Sequence, residues 1–384
     1  MAQQVSGMTL APYFDHGSRR ERLRGLLGQQ GLEWLVVSRP VHVGYLTGFT
    51  GDSTVFIMGL RRDLLVSDGR YTEQLARECP GLETHIRTPS QKLVDIVPQV
   101  LGQLGASAVG VEAAGITLAE MERWRELQPG LAWKSTQGLV EGLRRVKDAG
   151  ELAELRLAVR QAQAGYLAWT HGKSASQFPR QTEKQAANSL EWALREAGAE
   201  ESAFPLIVAG NDGAALPHYH PGDIPMPESG VLLVDWGART ARGYRSDLTR
   251  TVRVGPGPRS GEPGLEVAHE AVCRAQQAAL PWLRPGVQAG QVDLAIRSEL
   301  AKAGLDSYFV HGSGHGIGLE IHESPWFRAN NTELLEAGMV VTIEPGVYFP
   351  GRWGIRVEDD FLVTPDGGVY LSDLPRGLEP QAGS

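Results

Sequence analysis

The apolar positions in the first third of the chain alternate between helical spacing and short continuous runs. In the helical segment at 19–30, Leu23, Leu26 and Leu27 share one face, and Gly31 follows where the helix is predicted to end. Such alternation predicts a small α/β domain. The other predicted elements are strands at 32–38 and 107–113, a hairpin of strands at 55–60 and 63–68, and a helix at 90–105.

A single long helical pattern follows and marks a second region of the chain. From Lys147 to about His171, apolar residues recur at helical spacing. A chain of 384 residues is also too long for one ordinary core. We therefore predict an N-terminal domain over 1–145 and a second domain over 146–384, divided at the entry to this helix.

The second domain repeats one order of elements, which is two helices followed by two strands. The repeat lies in the architecture and not in residue identity, so it predicts two similar halves within one domain. The predicted helices cover 148–171, 182–198, 265–283 and 290–303, and the predicted strand segments cover 231–237, 244–254, 339–349 and 354–364.

Composition and charge exclude several classes of partner. The chain is 42% hydrophobic and 21% charged, with a net charge of −8 and a pI of about 5.7. It therefore lacks the basic footprint of proteins that bind nucleic acid or anionic membranes. No apolar run reaches the roughly 18–20 residues that span a bilayer, and the first residues lack the regions of a signal peptide. With two cysteines and no CxxC pair, we predict a reducing, cytoplasmic setting.

Four acids stand at matching places in the two strand pairs. Asp235 and Asp247 are 12 positions apart in the first pair, and Glu344 and Glu358 are 14 positions apart in the second. Acids on adjoining antiparallel strands can come face to face, because cross-strand neighbours have Cβ atoms about 4.5–5.5 Å apart. Carboxylates that close repel one another unless a cation lies between them. A single such acid would more simply cap its strand or pair with an arginine. Four acids in two matched pairs favour a metal site.

A fifth ligand is offered by the segment HGSGHGIGLEIHE at 311–323. Its glycines disfavour a helix, and its spacing fails the dinucleotide-binding pattern because Ile317 stands where a last glycine is needed. We predict a loop that brings His315 to the acids. Hard oxygen ligands with one imidazole suit Mn²⁺, Co²⁺ or Zn²⁺. Two such ions bridged by carboxylates hold a hydroxide nucleophile and polarise a carbonyl.

Strand periodicity adds two side chains on the face of the metal ligands. Thr249, two residues after Asp247, is predicted to hydrogen-bond a ligand carboxylate. Arg356, two residues before Glu358, either assists the chemistry or forms a salt bridge with Asp360 on the same face. The sequence leaves both interpretations of Arg356 open.

These segments together resemble the pita-bread metallopeptidase family, which includes aminopeptidase P, prolidase and methionine aminopeptidase. The similarity rests on LLVDWGA, SDLTRT, HGSGHGIGLEIHE, TIEPGVY and IRVEDD, in that order. HVGYLTGFTG at 42–51 and VSDGRYTEQ at 66–74 are similar to the domain that precedes the catalytic domain in aminopeptidase P, prolidase and creatinase. The resemblance implies an α+β fold, in which a small creatinase-like domain precedes a duplicated pita-bread domain, and a homodimer.

The resemblance also implies how the two metals, Mn²⁺ first among the candidates, are shared. Asp247 and Glu358 match the two bridging acids, and Asp235 matches an acid on one ion. His315 and Glu344 match ligands of the other ion, and Glu344 also matches a proton shuttle.

Three further histidines match the substrate site of the family. His218 matches a histidine that contacts substrate, and His311 and His322 match histidines near the scissile carbonyl and the tetrahedral intermediate. Neutral imidazoles there donate hydrogen bonds to developing oxyanion charge. His220 has no counterpart in the family, and we predict a solvated loop histidine.

These roles predict a metal-dependent exopeptidase that cleaves the bond between an N-terminal residue and proline. Phe204 stands where some relatives carry a tyrosine, and Trp326 stands where some prolidases carry an arginine for a dipeptide's carboxylate. The missing arginine favours an aminopeptidase that accepts longer peptides, although arginines elsewhere offer an alternative anchor. A prolidase restricted to dipeptides and a non-catalytic pita-bread binding module are the alternatives.

Overall fold

A computed structural model of the chain describes residues 14–170, 181–255 and 264–379. These residues form two compact units, the first ending at Arg144 and the second beginning at Arg145. Within the described ranges, no helix combines the length and the apolar content needed to cross a membrane.

The first unit is an α/β domain built on one six-stranded sheet. It contains α1 (His16–Gln29), β1 (Trp34–Val37), α2 (Pro40–Thr47), β2 (Val55–Gly59), β3 (Asp63–Asp68), α3 (Thr72–Glu78), β4 (Glu83–Arg87), α4 (Leu93–Gln103), β5 (Ala108–Glu112), α5 (Leu118–Leu127), β6 (Ala132–Thr136) and α6 (Leu139–Arg144). The strand order is β4-β3-β2-β1-β5-β6. The predicted hairpin is confirmed, because β2 pairs with β3 in antiparallel register. Helix α2 is an element that the apolar pattern did not predict.

The second unit contains the predicted duplication. Its elements are α7 (Ala149–Thr170), α8 (Glu183–Glu196), β7 (Glu201–Ser202), β8 (Ile207–Gly210), β9 (Gly230–Trp236), β10 (Ala238–Arg239), β11 (Leu248–Val254), α9 (Leu265–Ala279), α10 (Ala289–Lys302), β12 (Gly314–Gly316), β13 (Glu323–Phe327), β14 (Val340–Ile343), β15 (Gly346–Phe349), β16 (Trp353–Arg356), β17 (Asp359–Thr364) and β18 (Gly367–Tyr370). Two helices and two strands occur in order as α7, α8, β9, β11 and again as α9, α10, β14, β17. The predicted end of the first helix at His171 lies outside the described residues.

Both faces of β9 are covered, which encloses any acid in that strand. On one face Trp236 stacks on Tyr166 of α7 with ring centroids 4.1 Å apart, and its indole N–H donates to Ala162 O at 3.0 Å. On the other face Leu233 joins a core that contains residues of α9 and α10, such as Val272. The helices of the two halves therefore pack against opposite sides of the strand that carries Asp235.

The last two predicted strand segments are each divided in two, which corrects the prediction of continuous strands. β14 and β15 are separated at Glu344 and Pro345, and β16 and β17 are separated at Val357 and Glu358. β14 pairs with β17, and β15 pairs with β16. An isolated bridge between Thr249 and Glu358 connects the two halves. Both candidate glutamate ligands therefore stand where the strands are interrupted.

Candidate metal centre

One cavity of about 410 Å³ in the second unit collects the side chains that the sequence singled out. Its apolar walls include Phe204, Ile321 and Trp326. The predicted site residues on its lining are Asp235, Asp247, His315, Glu344 and Glu358, together with His218, His311, His322 and Arg356.

Strand pairing explains how the acids of the two halves meet. Asp235 pairs with Thr249, and Thr249 forms the bridge to Glu358. The registers of β14 with β17 and of β15 with β16 both place Glu344 opposite Glu358. Asp247 lies two residues before Thr249, so it is offset by two positions from Asp235 in this register. Because side chains along a strand alternate between its two faces, Asp247 and Thr249, which are two residues apart, are expected on the same face.

The candidate ligands converge around His315. Its Nε2 lies 3.7 Å from Asp247 Oδ2 and 3.8 Å from Glu344 Oε1. One ligand atom each of Asp247, His315 and Glu358 lies within 4.8 Å of the other two. The Nδ1–H donates to Gly316 O at 3.0 Å, which leaves the lone pair on Nε2 facing the acids. Two ligand atoms at about 2.0–2.2 Å from one ion are up to about 4.4 Å apart, so these separations suit a shared ion.

Burial keeps these acids from ionising together in the metal-free protein. Desolvation, reinforced by neighbouring carboxylates, raises the pKa of Asp247 and the pKa of Glu358 well above their usual values. Desolvation also raises the pKa of Glu344 to about 8. Burial lowers the pKa of His315 to about 3, so its imidazole is neutral at pH 7. A bound cation would stabilise the ionised acids, and the neutral imidazole is ready to act as a ligand.

The donor set fits divalent metal ions. Asp235 Oδ1 is buried and accepts no hydrogen bond from the described residues. Among the described residues of the cavity lining, Arg356 is the one lysine or arginine beside four carboxylates. Carboxylate oxygens with one imidazole nitrogen suit Mn²⁺, Co²⁺ and Zn²⁺. The unpartnered oxygen and the excess of acids both indicate that cations belong in this cavity.

Arg356 orients a candidate ligand of the other half. Its guanidinium donates to Asp235 Oδ2 at 2.6 Å and to Tyr348 Oη at 2.8 Å. The salt bridge of Arg356 is therefore to Asp235 and not to Asp360, which was the alternative left open by the sequence. Asp360 Oδ2 instead accepts the backbone N–H of Asp247 at 3.1 Å. Because Arg356 is only 3% exposed, its direct contact with a substrate is limited.

Tyr348 links Arg356 to His311 and was missed by sequence reasoning. The Nδ1–H of His311 donates to Gly312 O at 2.7 Å, so its Nε2 accepts from the Tyr348 hydroxyl at 2.8 Å. Burial, and then the charge of Arg356, lower the pKa of His311 to about 4. The imidazole is therefore neutral and fixed in one orientation. Tyr348 stands four residues after Glu344, a spacing that strand periodicity could have used to find it.

The other histidines of the cavity are more exposed. His322 packs edge-on against His315 with ring centroids 4.5 Å apart, and its ring lies 5.6 Å from that of Trp326. His218 and His220 are exposed in the loop before β9. His220 is solvated as predicted, but it also lines the cavity, a position that sequence reasoning missed.

Thr249 holds a candidate ligand, which confirms the prediction made for it. Its hydroxyl donates to Glu358 Oε2 at 2.7 Å and accepts from Arg356 Nε at 3.2 Å. We expect Thr249→Val to weaken binding of divalent ions about 10–100-fold, because the isosteric side chain leaves the Glu358 carboxylate without that donor. Competition with a chelating dye measures the affinity.

Thr240→Val is the matched control for this substitution. Thr240 is 1% exposed, and within the described part of the chain its hydroxyl has no hydrogen-bond partner. Its replacement is expected to leave the metal affinity unchanged. Equal affinities for Thr249→Val and the wild type would mean that Glu358 is oriented without this hydroxyl.

Similarity to known proteins extends over both units. The family model described as metallopeptidase family M24 matches residues 153–365, and the creatinase/prolidase N-terminal domain matches residues 19–146. The uncharacterized peptidase YqhT of Bacillus subtilis is 32% identical over 93% of this chain and 98% of its own length. Among solved structures, an Xaa-Pro dipeptidase from Bacillus anthracis is 31% identical with a TM-score of 0.87, covering 95% of this chain and 99% of that chain. An X-Pro aminopeptidase from Thermotoga maritima is 30% identical with a TM-score of 0.83, covering 94% and 99%.

Proposed function

The chain belongs to metallopeptidase family M24, and from this premise we propose that it is an exopeptidase that cleaves the bond between an N-terminal residue and proline. Family membership makes it a hydrolase of peptide bonds that depends on divalent metal ions. The finer choice lies between an Xaa-Pro aminopeptidase, which accepts longer peptides, and an Xaa-Pro dipeptidase. We propose the aminopeptidase.

The five candidate ligands are proposed to hold two divalent ions. Asp247 and Glu358 would lie between the ions, Asp235 on one of them, and His315 and Glu344 on the other. Such ions supply a nucleophile from water at neutral pH and polarise the scissile carbonyl. We propose Mn²⁺ as the native ion, because carboxylates predominate among the ligands.

Glu344 is proposed to move the proton of the reaction. Its Oε2 lies 3.8 Å from His311 Nδ1. A carboxylate beside the ions is able to accept a proton from the attacking water and pass it on. His218 and His322 are proposed to donate hydrogen bonds to substrate oxygens. His311 is proposed to share its Nδ1–H, which bonds to Gly312 O, with a substrate oxygen. Arg356 is proposed to act by orienting Asp235, to which it is bonded.

The choice of an aminopeptidase rests on the charge of the side chains that line the cavity. The guanidinium of Arg356 is buried and already bound to Asp235, and no other lysine or arginine is among the described lining residues. The four acids and the two proposed ions balance in charge, so the described lining offers a dipeptide's C-terminal carboxylate no free cationic side chain, and an unpaired carboxylate is costly to bury. A peptide extended beyond proline carries that charge elsewhere. Trp326 instead presents an apolar ring that is 41% exposed.

An Xaa-Pro dipeptidase is the second candidate, because the similar Bacillus anthracis protein is described as one. The Thermotoga maritima protein, described as an X-Pro aminopeptidase, is similar to almost the same extent. Similarity alone therefore favours neither specificity, and the lining of the cavity supports the aminopeptidase.

The proposal also covers the organisation and setting of the chain. We infer two domains over 1–145 and 146–384, a homodimer on the strength of the family resemblance, and a cytoplasmic location. The last rests on Cys79 and Cys273, which are both free thiols, as expected in a reducing compartment.

Comparing Ala-Pro with Ala-Pro-Ala tests the proposed specificity. We expect kcat/KM to be at least about tenfold higher for the tripeptide, because a dipeptide's unpaired carboxylate costs more than about 1.4 kcal/mol to bury. Ala-Pro amide is the control, since it has the length of the dipeptide without its charge and is expected to recover most of the lost rate. Cleavage of Ala-Pro alone would make the protein a prolidase.

A further inference from the structure

Helix α10 presents an ion pair to the loop that carries His311. Asp293 and Arg297 are one turn apart, and Arg297 Nε donates to Asp293 Oδ2 at 2.9 Å. Asp293 is 1% exposed. Val292 and Ile296 fix the same helix in the apolar core. The ion pair therefore stands on an element that packing holds in place.

Arg297 reaches the main chain of the loop with both of its terminal nitrogens. Nη1 donates to Phe309 O at 3.1 Å, and Nη2 donates to His311 O at 2.5 Å. The guanidinium carbon lies 4.5 Å from the centre of the Phe309 ring. That ring meets the His311 imidazole edge-on at 4.9 Å. One side chain thus fixes the backbone on both sides of residue 310 and the ring that packs on His311.

Asp293 holds the next part of the same loop. Its Oδ1 accepts from the hydroxyl of Ser313, which is fully buried. The Ser313 carbonyl in turn accepts the backbone N–H of Glu344 at 2.9 Å, and the Ser313 N–H donates to Phe327 O at 2.7 Å. The loop is therefore tied to helix α10 on one side and to a candidate metal ligand on the other.

We propose that Arg297, oriented by Asp293, is a positioning residue that sets the place of the His311 imidazole beside Glu344. This inference rests on the proposed function, in which His311 acts on the substrate. Neither Asp293 nor Arg297 is among the described residues that line the cavity. Their effect on turnover therefore passes through the loop and not through contact with the peptide.

The geometry requires an arginine at this position. The planar guanidinium directs separate N–H groups to two carbonyls and a carboxylate at once, which the single ammonium of a lysine does not do. Both oxygens of the buried Asp293 carboxylate are occupied, one by Arg297 and one by Ser313. Loss of the guanidinium leaves the Phe309 and His311 carbonyls unpaired and frees the loop to shift.

Arg297→Met is expected to lower kcat for Ala-Pro-Ala about 10–100-fold and to change KM less than about threefold, because a misplacement of about 1 Å is sufficient for such a loss. Arg297→Lys is expected to fall between the wild type and Arg297→Met. In a His311→Ala background, Arg297→Met is expected to change kcat less than about threefold, because the residue it positions is already absent. Lys302→Met, which removes an exposed cation from the same helix, is the matched control and should retain wild-type kinetics.

The imidazole resonance of His311 gives a readout that does not depend on turnover. In Zn²⁺-loaded protein carrying ¹³C at histidine Cε1, Arg297→Met is expected to shift the His311 signal and Lys302→Met to leave it in place. Equal losses of kcat in the wild-type and His311→Ala backgrounds, or an unshifted signal, would overturn the positioning role. If the wild type cleaves no Xaa-Pro peptide, the proposed function fails, while the signal still tests whether Arg297 places His311.

Discussion

Replacing Asp247 by alanine is expected to lower kcat/KM for Ala-Pro-Ala by about 1,000-fold or more, because metal-ion catalysis is worth several kcal/mol and each 1.4 kcal/mol is about tenfold in rate. The Asp247 carboxylate is buried, lies 3.7 Å from His315 Nε2, and forms a cluster of possible metal ligands with His315 and Glu358. The measurement pairs steady-state kinetics with the metal content of the purified variant. Activity and bound metal are expected to fall together.

Metal-free protein separates the loss of metal from a loss of fold. Burial and neighbouring carboxylates raise the pKa of Asp247, so a neutral amide in its place removes the cost of burying or protonating a carboxylate in the metal-free state. The isosteric Asp247→Asn variant is therefore expected to melt no lower than the metal-free wild type. Asp223→Ala removes an exposed aspartate of the same unit and should keep full activity. Full activity in Asp247→Ala would refute the metal role of this residue.

The predicted α+β fold, with a creatinase-like domain before a pita-bread domain, is confirmed by the family matches and the solved structures. The fold was predictable because the local apolar patterns match the packing of the elements in the folded chain. The apolar run at 231–237, for example, coincides with β9 at Gly230–Trp236, a strand with apolar contacts on both faces. Because the same order of helices and strands occurs twice, acids far apart in the chain could be assigned to matching positions of one site.

The interruptions of the last strands were harder to predict. Within the apolar run at 339–349, Pro345 has no backbone N–H to donate to a ladder, and this was a usable sign that the strand ends at Glu344. No proline or comparable residue marks the break before β17. It occurs where Glu358 bonds to Thr249 of the other half, a contact 109 residues apart in sequence.

The sequence contains start and end signals for helix α2, but the helix is short. Pro40 stands at its first position and Gly48 ends it in the left-handed region with a φ of 84°, which are the usual marks of a helix start and end. Eight residues make only two turns, which is too few for an apolar period to stand out.

The partner of Arg356 depended on long-range geometry. Asp360 is its neighbour in sequence, but four residues along an extended strand span about 13 Å, whereas side chains on adjoining strands approach to about 5 Å. The distance along the strand therefore disfavours a salt bridge between Arg356 and Asp360. Choosing Asp235, 121 residues away, required knowledge of how the two halves meet.

Removing the metal ions from the wild-type protein is expected to abolish peptide cleavage and to make stability fall as the pH rises from about 6.5 to about 8.5. In the metal-free protein, burial raises the pKa of Glu344 from 4.5 to about 8, and raises the pKa of Asp247 and of Glu358 well above their usual values. Over this interval the folded state retains protons that the unfolded state has lost. The free energy of unfolding therefore decreases with rising pH.

Two histidines oppose this trend near the lower end of that interval. Burial lowers the pKa of His311 to about 4 and the pKa of His315 to about 3, from an ordinary value of 6.5. Below pH 6.5 the unfolded state gains protons that these folded-state imidazoles do not, so their contribution to stability rises with pH and opposes that of the carboxylates. By about one pH unit above 6.5 these imidazoles are neutral in both states, and the carboxylates alone, among these groups, still distinguish them.

Thermal unfolding of chelator-treated, dialysed protein at several pH values measures this effect. We expect the melting temperature to fall by at least about 3 °C across the interval. Added Mn²⁺ should restore it, with the largest gain at the highest pH because the ions bind deprotonated ligands. Glu344→Gln removes one titrating carboxyl group and should flatten the metal-free profile, whereas Glu228→Gln, at an exposed position, should not. A metal-free profile that is flat or rises would mean that the acids are not held together as the structure has them, and cleavage that survives chelation would refute the dependence on metal.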